Sequence, residues 1–449
     1  MMKTKYLFLI FCTIFMAAGF MAAGCSSVTD MFEEEEDAPL EGERISVLEL
    51  QQALEPDDAA LEVQGLITPD AWRNQFWPQT GGYPNHSMQN LALNPSSLNR
   101  AWSVSIGQGS SRRLPLTAQP IVADGQVFTL DTDFNLSSFK VLDGALLWRS
   151  DVASKSEDDP VIAGGIAYSS GILYVTNGYN ELLAVDPKNG EILWRKTLPA
   201  PSRAAPTIME DRVFVTTLDG KLLAMNAADG ASLWEYAGIH ETASLLGAAS
   251  PAANRQIVVP AFSSGEITAL RVQNGSVAWS DNLSNLRNLG GLASLAAIRA
   301  LPVIDKGVVI AISFSGRLVA IDERTGTRIW QREISGSKTP WLAGNHLFVI
   351  SSENELVALG RDTGAIRWII PLPRYVDNDT AKPISWSGPI LAGGRLIAVG
   401  TDGIVMSINP EDGAVLGTWD AGGTVTIDPI VADSTLYLLE DNGTLSAYR

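Results

Sequence analysis

Nucleophilic or metal chemistry in this 449-residue chain would have to come from very few side chains, since it holds two cysteines, Cys12 and Cys25, and three histidines, His86, His240 and His346. The histidines lie far apart and without cysteine partners, so no zinc-binding spacing is present, and they read as surface or locally hydrogen-bonded residues. Serines stand beside glycines in Ser263-Ser264-Gly265 and Phe314-Ser315-Gly316. These fall at the same turn of successive repeats, which marks turn chemistry and not a nucleophile served by a base. Carboxylates abound, but spacing singles out no pair for acid–base work. The expectation is a non-catalytic protein with no metal and no cofactor.

Cys25 has a context of its own. Lys3 and Lys5 precede an apolar run, Tyr6 to Phe20, and then Ala22-Ala23-Gly24 directly before the cysteine. The run is short, ends in small residues and is followed by Ser26, Ser27 and acidic residues, so 1–24 reads as an export signal and not as a transmembrane anchor. Ala22-Ala23-Gly24-Cys25 resembles a bacterial lipobox, with Ala22 where leucine is usual. That resemblance implies that the Cys25 thiol takes a diacylglyceryl group and becomes the mature N-terminus. With an added N-acyl chain it would carry the two or more chains that stable anchoring needs. Ser26, where aspartate would favour inner-membrane retention, implies sorting to the outer membrane, with the protein facing the periplasm. Cys12 would leave with the signal, so the mature chain would have no disulfide and stability must come from packing.

Charge is distributed unevenly. The net charge is −18, or −20 without Lys3 and Lys5; residues 26–70 hold fourteen acids against Arg44, a net −13, which leaves −7 for residues 71–449. The run Glu33 to Asp37 repels itself and buries no apolar area, so 25–70 reads as an acidic tether, with a short helix possible near Ser46–Gln52. Nucleic-acid binding would need a basic stripe, and none is present.

The elements that carry everything else are repeats. Gly171–Thr176, Glu181–Asp186, the turn Pro187–Gly190 and then Glu191–Trp194 form one unit, and it recurs around Asp211–Trp234 and Lys306–Trp330. Short apolar strands separated by turns at a period of about 40 to 50 residues are the signature of a radial β-architecture. Gly144, Gly190, Gly230, Gly275, Gly326, Gly364 and Gly413 supply positive φ in the turn before each fourth strand, and Asp186, Asn226, Asp322 and Asn409 open such turns. Four residues after the first six glycines come Trp148, Trp194, Trp234, Trp279, Trp330 and Trp368; in the seventh repeat the ring is displaced to Trp419. A large ring at one fixed point of each outer strand suits packing against the adjoining blade. Trp72, Trp77, Trp341 and Trp386 lie outside this series, as core residues or as candidates for a surface or channel role.

First strands are expected near Pro120, Ala163, Pro206, Pro251, Pro302, Pro340, Pro389 and Pro429. The eighth unit ends at Arg449 without a fourth strand or a tryptophan, whereas Leu98–Ser105 has both and precedes the first unit. The reading is all-β: residues 71–449 as a single eight-bladed β-propeller whose ring is closed by an N-terminal strand completing the last blade, leaving no open edge.

The apolar strand, Asp-x-x-x-Gly turn and following Trp resemble quinoprotein-like propeller repeats over about 98–449, and Trp77–Pro84 resembles the segment that leads into them. With the lipobox, the acidic tether and no appended domain, the chain looks more specifically like the BamB family, lipoprotein subunits of the outer-membrane β-barrel assembly machine. The resemblance implies docking on the periplasmic domains of the barrel subunit and help in presenting unfolded outer-membrane proteins. It places the docking surface on loops around blades four and five: here Leu245, Leu246 and Gly247, with Leu246 where the family has arginine, and Arg299 in Ala297-Ile298-Arg299-Ala300, where it has acids. Two alternatives remain. One is a pyrroloquinoline quinone dehydrogenase, which would pair the quinone with adjacent disulfide-linked cysteines, Ca²⁺ and a catalytic aspartate. The other is a lipid-tethered binding module for another envelope component.

Overall fold

The computed structural model describes residues 54–57, 68–155, 159–239, 248–284, 297–377 and 381–449. The chain divides into Met1–Leu54 and Glu55–Arg449. Only Leu54 of the first unit is among the described residues, so the fold below is that of the second.

Second and third strands of each unit are nearly continuous apolar runs, such as Val308–Ser313 and Leu318–Ile321, because both of their faces are covered. Fourth strands such as Leu146–Asp151 alternate exposed and half-buried positions, as expected of a rim. These strands assemble into eight antiparallel four-stranded sheets arranged as an eight-bladed propeller. Blades 1 to 7 occupy 121–151, 165–197, 207–237, 252–282, 303–332, 341–371 and 386–420, each in sequence order from axis to rim.

Blade 8 is built from both ends of the propeller segment. Ile430–Ala432, Thr435–Leu439 and Thr444–Tyr448 are its first three strands, and Arg100–Ser105 pairs antiparallel with the third in the register Trp102↔Ala447, Ser103↔Ser446 and Val104↔Leu445. Asn99 and Arg449 exchange backbone hydrogen bonds of 2.9 and 3.0 Å. The expected strand exchange therefore closes the ring.

The tryptophan series works between blades. The indole Nε1 of Trp102, Trp148, Trp234, Trp279, Trp330 and Trp368 donates to a backbone carbonyl of the next blade: Val141, Pro187, Val272, Glu323, Arg361 and Pro410. Each ring also lies against the turn glycine of that blade, so a Cβ on Gly144 would meet Trp102 at 2.7 Å and one on Gly364 would meet Trp330 at 2.6 Å. Close approach, besides positive φ, thus explains these glycines. Trp194 departs from the series: the Tyr174 hydroxyl donates to Ala227 O at 3.0 Å, and the buried indole nitrogen has no partner among the described residues. Trp419 packs instead on Tyr448, with ring centroids 4.7 Å apart.

A strap that the repeats do not announce runs inside the ring. A first strand is an edge with backbone groups left to satisfy, and residues 74–91 supply partners blade by blade. Asn74 Nδ2 donates to Val431 O in blade 8 at 2.6 Å, Trp77 and Val122 of blade 1 exchange bonds of 2.8 and 2.9 Å, and Tyr168 N of blade 2 donates to Pro78 O at 2.7 Å. The Gln79 amide pairs both ways with Ile208 of blade 3, at 2.9 Å each. Ala253 N reaches Pro84 O, Ile304 N reaches Asn85 O, the Trp341 indole reaches Gln89 O and Leu91 N reaches Leu391 O, which takes the strap past blades 4, 5, 6 and 7. All eight blades touch it. It closes one end of the central channel, on the side of the turns between first and second strands.

Candidate functional site

The opposite face carries the connections between blades. Cys25 and the segment Leu245, Leu246 and Gly247 lie outside the described residues. Arg299 is described and exposed, on the connection from blade 4 to blade 5, between buried Ile298 and buried Ala300. Its backbone is pinned on both sides: Ile298 N donates to Phe262 O of blade 4 at 3.3 Å and Phe314 N of blade 5 donates to Ala297 O at 3.1 Å. The guanidinium is therefore presented from a fixed base.

Arg299 lines a narrow recess with Leu218 of blade 3, Phe262 of blade 4 and Ile239, a residue 56% exposed. Beneath Ile239 the buried carboxylate of Glu266 gathers three donors: Ile239 N at 2.8 Å, the Tyr236 hydroxyl at 2.7 Å and the Thr268 hydroxyl at 3.0 Å. Burial, reinforced by Glu266, pushes the Tyr236 hydroxyl above its ordinary range. This carboxylate is a structural hub that holds the blade 3–4 connection. Apolar side chains here stand next to a guanidinium on a fixed backbone. Ile239 was not singled out from the sequence; its signal is a large apolar residue two positions beyond the rim strand Ser232–Ala237.

The channel opens on the same face and ends at the strap. Trp77, Thr80, Gly81 and His86 floor a cavity of about 520 Å³, and Trp341 stands in its wall. Trp77 and Trp341 thus combine core burial with a channel lining, Trp386 is buried, and Trp72 is partly exposed and stacked on Tyr83. His86 is buried with Nδ1 2.7 Å from Pro302 O, and burial lowers its pKa to about 4. His346, buried between Ala343 and Phe348, is lowered to about 4 by burial and then by the Arg367 charge. His240 lies outside the described residues. Among those residues no group of three or more His, Cys, Asp or Glu side chains is placed to hold a metal ion.

Residues 132–370, more than half of the chain, match the family described as outer membrane protein assembly factor BamB. The chain belongs to the BamB family. Its similarity to the BamB of Escherichia coli K12 is 26% identity over 351 residues, covering 77% of this chain and 87% of that one. For the BamB of Yersinia pestis it is 23% over 362 residues, covering 79% and 90%. An uncharacterized Rickettsia prowazekii protein is 28% identical over 275 residues; the match covers 61% of this chain and 66% of that one, just under two thirds of the relative's length. The crystal structure of BamB from Moraxella catarrhalis superposes with a TM-score of 0.67 at 22% identity, over 79% of this chain and all of that one. A quinohemoprotein alcohol dehydrogenase from Pseudomonas putida reaches 0.63 at 14% identity, over 84% and 80%. At these identities the two structures speak for the fold alone.

Proposed function

We propose that this BamB-family protein is a non-catalytic, lipid-anchored component of outer-membrane protein assembly, docked through its loop face at blades 3 to 5 on the periplasmic part of the barrel subunit. In this reading Cys25 carries the anchor, 25–70 is the tether, and Leu245, Leu246, Gly247 and Arg299 contribute the contact, joined by Ile239. The observation that carries the reading is the exposed Ile239 beside Arg299, both on backbone fixed by the neighbouring blades. Interfaces of this kind concentrate their energy in a few central residues.

Crosslinking in intact cells, followed by identification of the captured protein, tests it. The barrel subunit is expected, and its capture should fall at least tenfold, ~1.4 kcal/mol, when Leu245 and Leu246, or Ile239, are replaced by Asp. Arg299→Glu should weaken it as well. A second reading draws on the likeness in fold to quinohemoprotein dehydrogenases and on the central cavity. Uptake of pyrroloquinoline quinone with Ca²⁺, dye reduction with an alcohol or sugar and no capture of the barrel subunit would replace the docking reading with that one.

A further inference from the structure

The central cavity is blind: the strap closes one end, and the other opens on the loop face. Its charged lining consists of Arg203, Arg299, Lys338, Asp428 and Asp441. Lys338 is spent, with its ammonium 3.0 Å from Asp428 Oδ1, 3.0 Å from Ser387 Oγ and 3.2 Å from Thr426 O. Asp441 accepts the Thr426 hydroxyl at 2.6 Å. Arg203, on the connection from blade 2 to blade 3, and Arg299 are different. Neither has an ion pair or side-chain hydrogen bond among the described residues, although the chain as a whole carries −18.

We propose that this cavity is a binding site for a small organic oxyanion, a carboxylate or phosphate ester, gripped by Arg203 and Arg299. A guanidinium offers five donors and no acceptor, in a fork that matches the two oxygens of a carboxylate or phosphate. With Lys338 matched by Asp428, the lining sets two cations without an ion pair among the described residues against Asp441, a net positive charge in a partly enclosed space, where low-dielectric walls focus the field and screening is weaker than on open surface. The acids of the lining, Asp428 and Asp441, sit at the blade 7–8 side, so the side lined by Arg203 and Arg299 takes the anionic end of the ligand. The hydroxyls of Ser337, Thr339 and Ser385 suit its polar remainder. The volume falls within the range of about 300–1,000 Å³ usual for small-molecule pockets.

The site is separable from partner docking. Arg299 lines both the docking recess and the cavity, whereas Arg203 lines only the cavity. The full-length protein in detergent would be titrated with citrate and with inorganic phosphate, by calorimetry and by tryptophan emission, since Trp77 and Trp341 border the ligand's space. Sodium chloride at matched ionic strength is the control. Saturable binding of citrate, phosphate or both is expected, with an emission change; which anion binds tells carboxylate from phosphate preference. Arg203→Gln and Arg299→Gln should each weaken binding at least tenfold, Arg203→Lys should fall in between, and Arg324→Gln on the outer surface should change nothing. Arg203→Gln should still capture the barrel subunit, so failure of one proposal is not failure of the other. Heats and emission reproduced by sodium chloride, or binding unaltered in the folded double variant, would overturn the assignment.

Discussion

Gly364 combines two demands on one residue. Its φ is +66°, and a Cβ there would stand 2.6 Å from the Trp330 ring, whereas Gly307, at φ +83°, has open space where its Cβ would lie. Gly364→Ala should therefore cost ~1–3 kcal/mol more than Gly307→Ala, the difference being overpacking between blades; chemical denaturation of the two variants measures it. The interval from glycine to tryptophan was legible in the sequence, but the ring meets the glycine of the following blade and not its own, a relation that spacing does not contain. The histidines give a pH prediction. Both His86 and His346 titrate near 4 in the folded chain, against an ordinary value of 6.5. Between those values the unfolded chain binds the extra protons, so stability is full above about 6.5 and falls as the pH drops toward 4, by up to about 3 kcal/mol per site. His346→Phe, beside Phe348, should remove one site's share of that slope in thermal unfolding measured from pH 7 to pH 4; an unchanged slope would contradict a buried neutral His346.

Two elements outside the repeat order hold the ring. The closing strand Arg100–Ser105 was legible because a tryptophan-bearing fourth strand stood unpaired ahead of the first unit while the last unit lacked one. The strap was not legible beyond its resemblance to a lead-in segment: Gln79, Thr80, Gly81, Pro84 and Asn85 show no periodicity, and its bonds run mostly through backbone and amide groups that any sequence carries. The two can be weighed separately. Ser103→Pro disturbs the pairing with Ser446 and should destabilise blade 8. Deleting 71–94 leaves that pairing intact while taking a partner from all eight first strands, and we expect it to lower Tm at least as much as Ser103→Pro. A deletion variant that melts with the parent protein would reduce the strap to a passive plug.

For the whole molecule, the anchor and the body are expected to be independent. Cys25→Ala should move the protein from the membrane to the soluble fraction with its Tm unchanged, read by fractionation and thermal unfolding; retention through high salt and urea would point to a membrane-spanning segment instead. The tether would reach ~35–40 Å as a coil, and further if its charges extend it. Asp57, counted among the tether's acids, nevertheless pairs with Arg332 at 2.8 Å and bonds the backbone of Ile366 on the rim of blades 5 and 6, so part of that acidity belongs to the propeller's compact unit. The number of blades, the order of their strands, the closure and the tryptophan series could be read along the chain, because each is written in local periodicity, turn chemistry and repeat counting. That a strap blinds the channel, that Arg203 and Arg299 line one cavity from connections 96 residues apart, and that Ile239 stands beside Arg299 emerged with the fold. A ring brings together side chains by angle around an axis, and neither hydrophobic period nor local propensity records which connections share that angle.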